Sequence, residues 1–341
     1  MFSEFSVEDI KMLYSELLNF YLKYRDSLSL PSSMTFGIEI EYEYLLKHIV
    51  DNYIGKELKG WISKTDASLV CGGEITSPVM RDEKNRWNEL QKICSYLRNR
   101  QAVTNLRAGG HVHIGAKILD DHIEAWKTFL KLYICYEHVL FRFGYGDKLE
   151  SRKNLKEYAK PVSMNLFNQL EYIECSKKLE HLHYALESKG HYDAISFKHI
   201  VFNESYSYRF HTIEFRFPNA STNEIIWQNN INVFTKMILV SLNGTINKEF
   251  LDYKLQQIKS IGENKYRYDL IYVEDALEFA DLVFDNNLDK MYFLRQYFKN
   301  FEVDLGKNYA KLIKKFTLWT NNWFFSWYFA IIRASRGNYE I

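Results

Sequence analysis

The stretch Thr35 to Leu45, TFGIEIEYEYL, constrains this chain more than any other. Aromatic and branched residues alternate there with glutamates, and successive side chains of a strand point to opposite faces. The period predicts a strand with Phe36, Ile38, Ile40, Tyr42 and Tyr44 on one face and Glu39, Glu41 and Glu43 on the other. Alternation by itself describes any half-buried strand with a wet side. Three like charges at two-residue spacing repel one another, however, and glutamate is not a favoured strand residue. The pattern therefore asks for something cationic over the acidic face.

The chain has 341 residues, enough for one large domain or two with a substantial core. A formal net charge of +1 gives no global electrostatic case for nucleic acid or an acidic membrane surface as partner. Cys71, Cys94, Cys135 and Cys175 are widely spaced and read as buried free thiols of a reducing compartment. The opening MFSEFSVEDIKML lacks a basic stretch ahead of an apolar run, so no signal peptide is expected. The strongest apolar run, Trp323 to Ile332, is too short to cross a bilayer and reads as a buried helix. A cytoplasmic protein is the expectation.

Along the chain, Ser6 and Asp9 resemble a capping box opening a helix to about Ser27, which Pro31 ends. After the glutamate strand, Trp61 to Leu69 reads as a second strand and Glu74 to Pro78 as a third, with Gly72-Gly73 turning between them. Asp82 to about Gln101 is expected to be helical, with Trp87, Leu90, Ile93, Cys94 and Leu97 on one face. Gly109-Gly110 leads into the strand-like HVHIGAK, and Asp120 to Phe143 again has helical spacing. A mainly helical stretch is expected to about Phe202. Tyr206 to Pro218, YSYRFHTIEFRFP, alternates and stops at a proline. The remainder reads as helices. These segments predict an α+β fold: an antiparallel sheet with helices packed on one face and a helical C-terminal part. The expected division is an N-terminal helix over 1–30, a sheet-bearing region over 31–220 with a helical insertion at about 120–205, and a helical region over 221–341.

Three further polar clusters fall on strand-like segments. TDASLVCGGEITSP offers Asp66 and Glu74; GGHVHIG offers His111 and His113 on one face; HTIEFRF offers Glu214 and Arg216. Each has an ordinary reading: an Asx turn for Asp66, a solvated strand start for Glu74, core histidines, and a same-face ion pair for Glu214 and Arg216. If the strands share one sheet, however, a single face collects several carboxylates, two imidazoles and an arginine. Carboxylates with few imidazoles suit Mg²⁺ or Mn²⁺. An arginine beside such ions suits phosphate, which it grips in a bidentate manner. Together they describe a nucleotide-using site.

The order FGIEIE, then D-x-S…E-x-x-S-P, then GGHVHIG, then TIEFRF, resembles the amidoligase family of the glutamine synthetase and glutamate–cysteine ligase superfamily, over about Phe36 to Asn219. The resemblance implies a sheet of the glutamine synthetase catalytic-domain type. It implies an ATP-dependent carboxylate–amine ligase that forms an amide through an acyl phosphate. It implies ATP and two or more Mg²⁺ or Mn²⁺ ions, with Glu39 and Glu41 giving one carboxylate to each of two metal sites. Asp66 and Glu74 would complete one site, and His111 and Glu214 the other. His113 would lie near the nucleotide phosphates, and Arg216 would hold the transferring phosphoryl group. Arg209 could contact phosphate given a turn at Phe210-His211, while Glu43 falls outside the motif. The implied substrates are a small-molecule or peptide carboxylate and an amine, with no nucleic acid or membrane partner. Two other readings use the same residues: a metal-dependent hydrolase, and a non-catalytic nucleotide-binding relative.

Overall fold

The computed structural model describes residues 22–104, 107–120, 122–153, 155–186, 192–201, 211–261 and 272–299. The expected N-terminal helix, the apolar run at 323–332 and Arg209 lie outside these; residues 22–27, which that helix was to include, are not helical. Two compact units are formed, one of residues 24–270 and one of residues 1–23 with 271–341.

The larger unit is built on a six-stranded antiparallel sheet: β1 (Phe36–Tyr42), β2 (Ile62–Lys64), β3 (Gly73–Thr76), β4 (Gly110–Gly115), β5 (Ile195–Ser196) and β6 (Thr212–Phe215), in the order β2-β3-β1-β4-β6-β5. The glutamate strand is central. Its exposure alternates as the sequence predicts, with Phe36, Ile38, Ile40 and Tyr42 buried. Among the described residues this unit also carries helices α1 (Lys47–Glu57), α2 (Lys84–Asn99), α3 (Ile123–Gly144), the short α4 (Leu155–Tyr158), α5 (Ser163–Asn168), α6 (Leu170–Cys175) and α7 (Leu179–Leu186), then α8 (Glu224–Asn243) and α9 (Lys248–Ile261).

The apolar face of the sheet is covered by α2, α3 and α8. Phe36 stacks on Trp87 of α2 at 5.2 Å. Phe215 stacks on Phe234 of α8 at 4.0 Å and meets Phe129 of α3 edge-on at 6.4 Å. These side chains are fully buried or nearly so. Such rings carry the largest apolar area per residue, and removing that area from water is what seats the helices on the sheet. Gly110 permits a close approach of α8, because a Cβ there would lie 2.7 Å from the Trp227 ring and 2.8 Å from the Asn219 carbonyl. In the smaller unit, α10 (Val273–Val283) and α11 (Asn287–Tyr297) pack through Phe279 and Phe293 at 5.0 Å, and Lys290 pairs with Asp281 at 2.6 Å.

Several expectations need correction. Tyr44 does not extend the buried face: the strand ends at Tyr42, and Tyr44 takes a left-handed backbone (φ 60°) and is exposed. The second strand covers only Ile62–Lys64, because Asp66 begins a turn instead. The mainly helical stretch before 202 also contains β5, two residues long and without a period to reveal it. The short helix α1 follows β1 directly and was not anticipated. Cys94 and Cys135 are buried as expected, but Cys71 and Cys175 are exposed; all four are free thiols. Among the described residues no helix is long and apolar enough to cross a membrane.

Candidate metal and phosphate site

Antiparallel pairing places directly opposed residues on the same face, so the register alone assembles the polar side of the sheet. Glu41 faces Glu74 of β3, which faces Lys64 of β2. Glu39 faces His111 of β4. His113 faces Glu214 of β6, which faces Ser196 of β5. Every one of these positions lies opposite the face packed by α2, α3 and α8.

The side chains converge on His111, which is 4% exposed. Its Nδ1 lies 2.9 Å from Glu39 Oε2 and 3.6 Å from Glu214 Oε1; its Nε2 lies 3.6 Å from Glu41 Oε1. His113 Nε2 lies 3.6 Å from Glu39 Oε1 and 3.9 Å from Glu214 Oε1, and its Nδ1 is 3.3 Å from Thr212 Oγ1. Glu41 accepts the Gly109 N–H through Oε2. Glu74 accepts from Lys64 Nζ and from Thr76 Oγ1, both at 3.1 Å. Arg216, one residue past β6, donates through Nη1 to Glu214 Oε1.

Two sets of ligand atoms result, each lying within 4.8 Å of one another: Glu39, His111 and Glu214, and Glu41, Glu74 and His111. The imidazole sits between them. Electrostatics follow the same geometry. Burial pushes the Glu39 carboxyl up, but hydrogen bonding to His111 and the nearness of His113 override it and hold Glu39 far below the usual carboxylate range. Glu214 is likewise buried, yet His111, Arg216 and His113 hold it below its ordinary value. Burial opposes charge on His113, and Glu39 and Glu214 reverse that, so its pKa is raised. His113 and Arg216 thus offset part of the carboxylate charge.

Six of the residues singled out in the sequence, Glu39, Glu41, Glu74, His111, His113 and Glu214, thus meet on one face, with Arg216 against Glu214. Asp66 belongs to neither ligand set. Its Oδ1 accepts from the Ser68 N–H and Oγ, both at 2.7 Å, which is an Asx turn. Glu43 is fully buried and accepts the Val70 N–H at 2.9 Å, tying the loop after Asp66 to the end of β1.

Three residues near the site were missed. Lys64 forms the outer end of the Glu41–Glu74 row. His199 lies with Nε2 4.0 Å from Glu214 Oε2 and its ring 5.8 Å from that of His113. Arg152 is buried beside Gly109 and Arg216. Lys64 shares a strand parity that could have been read; His199 and Arg152 come from loops of the helical insertion, where no period marks them.

A family model described as "putative amidoligase enzyme" matches residues 46–238. The match starts just after β1 and takes in β2 to β6 and most of α8. No curated protein matches the chain.

Proposed function

The chain belongs to the amidoligase family, and from that premise we propose that it is an ATP-dependent carboxylate–amine ligase working through an acyl phosphate, on a sheet of the glutamine synthetase type. The observation that carries this reading is the meeting of two carboxylate–histidine sets and one guanidinium on a single sheet face.

The donor set fits Mg²⁺ or Mn²⁺: hard carboxylate oxygens dominate, with one shared imidazole. His113 Nε2 belongs to neither set; buried without a hydrogen-bond partner, it is left over for a phosphate oxygen. Glu39 and Glu214 would hold one ion and Glu41 and Glu74 a second, with His111 giving one ring nitrogen to either of them. Such ions, when bound, neutralise phosphate charge during transfer.

The remaining work falls to the chain's own residues. In the first step a carboxylate oxygen of the acceptor attacks the γ-phosphorus of ATP, and the bond to the β–γ bridging oxygen breaks, releasing ADP. In the second, the amine nitrogen attacks the acyl carbon, the carbon–oxygen bond to phosphate breaks, and the amine proton passes to water or to the departing phosphate. Both steps depend on positioning and charge compensation. Arg216 presents a planar fork to the transferring group, exchanging Glu214 for phosphate oxygens. His113, its ring steered by Thr212, faces the same group. The partners on this reading are a small-molecule or peptide carboxylate and an amine.

ADP release with Mg²⁺ and pools of carboxylates and amines tests the reading. Amine-dependent ADP release is expected, and Arg216→Lys, which keeps the charge but loses the fork, should lower turnover by about two orders of magnitude. ADP release indifferent to the amine would favour hydrolysis, and an Arg216→Lys enzyme as fast as the parent would remove the role given to that arginine.

A further inference from the structure

Arg152 is 4% exposed and lies behind the Glu41 end of the polar face. Its backbone N–H donates to Asn219 Oδ1 at 3.0 Å, its Nη1 to the Pro218 carbonyl at 2.8 Å and its Nη2 to the Arg216 carbonyl at 2.8 Å. Asn219 in turn donates to the Tyr145 and Glu150 carbonyls, fixing the loop that carries Arg152. Gly109 leaves the space for this guanidinium: a Cβ there would overlap Nη1 and sit 3.1 Å from His111 Nε2. Arg152 Nη1 and His111 Nε2 therefore flank the same point beside Glu41, whose carboxylate accepts the Gly109 N–H.

A buried guanidinium needs compensation. Its five N–H groups here use two carbonyls, and no carboxylate of the described residues lies within 4.0 Å. Burial lowers its pKa to about 10, partly offset by the nearby Glu41, so it stays charged at neutral pH. A cation placed for metal binding alone would be counterproductive, because it repels the ion. A cation placed for an oxyanion that arrives with the ion is complemented by it.

We propose that Arg152 is a second phosphate-binding guanidinium of this site, held from behind by the Arg216 and Pro218 carbonyls and serving the Glu41–Glu74–His111 end as Arg216 serves the Glu39–His111–Glu214 end. The inference rests on the phosphate-handling reading above. It makes the site a two-arginine clamp on a polyphosphate chain, and it assigns a binding role to the helical insertion.

The test uses isothermal titration of the full chain, with Mn²⁺ alone and then with inorganic pyrophosphate at saturating Mn²⁺. Arg152→Lys should bind Mn²⁺ alone as tightly as the parent or more so. It should bind pyrophosphate about tenfold or more weakly, the scale of one charge-assisted hydrogen bond. Unchanged pyrophosphate affinity makes Arg152 a strut and overturns the proposal. An equal loss for Mn²⁺ and pyrophosphate does so too, since it marks general distortion. A parent protein that binds Mn²⁺ but no pyrophosphate defeats the phosphate-handling reading itself. Should Arg152→Lys not fold, crystals of the parent soaked with Mn²⁺ and pyrophosphate decide: an oxygen about 3 Å from Arg152 Nη1 or Nη2 is expected, and phosphate contacted only by Arg216 refutes it.

Discussion

Replacing Glu41 by glutamine separates two consequences of crowding carboxylates on one sheet face. Glu41 stands directly opposite Glu74, and Glu39 lies two residues away on the same side. Like charges directly opposed across a strand pair are destabilising by about 0.2–1 kcal/mol. Glutamine keeps the length and one oxygen to accept the Gly109 N–H, so the metal-free variant should equal the parent in stability or exceed it by up to about 1 kcal/mol. With Mn²⁺ the order should invert. At a hundredfold excess over its dissociation constant a ligand stabilises the parent by about 2.7 kcal/mol. If loss of one carboxylate weakens binding about a hundredfold, the same Mn²⁺ concentration stabilises the variant by about 0.4 kcal/mol. For a unit of this size the parent's metal-induced shift in Tm is then about 5–10 °C and the variant's about 1–2 °C. Paired melts with and without Mn²⁺, after treatment with chelator, read both quantities. A metal-free Glu41→Gln protein that melts well below the parent would show Glu41 to be a structural residue. An undiminished Mn²⁺ shift would show that it is not a ligand.

Phe215→Ala removes the ring that joins Phe129, Phe217 and Phe234 beneath Glu214; urea unfolding should show a loss of about 3–5 kcal/mol, and a loss under 1 kcal/mol would mean that the helices are not seated through it. Glu124 has its carboxyl lowered to about 2 by hydrogen bonds from Lys248 and then Lys127, against an ordinary 4.5. A depressed carboxyl adds stability that is present above its unfolded value and lost as pH falls through the folded one, so Glu124→Gln should flatten the acid side of the stability profile between about pH 4.5 and 2. Glu124 is more than half exposed, so the effect should be small and shrink with salt; a profile unchanged at low ionic strength would show that the lysines contribute nothing.

The strand of alternating glutamates, the helix through Trp87 and Leu97, and the helical spacing from Trp126 to Leu140 could all be read in the sequence, because a period of two or of 3.6 is written by which residues must leave water. The parity of Glu39, Glu41, His111, His113 and Glu214 within their strands was legible for the same reason. Register itself was not legible. That Glu39 meets His111 and Glu41 meets Glu74 follows from how the strands slide past one another, which the buried face settles by packing Phe36 on Trp87 and Phe215 on Phe234. Asp66 lay in a sequence that suited either a ligand or a turn, and only the fold showed its carboxylate closing on Ser68. Arg152 had no period to announce it. A loop residue is brought to a site by the closure of distant segments, here by Asn219 and by the space that Gly109 leaves, and no local pattern of side chains encodes that meeting.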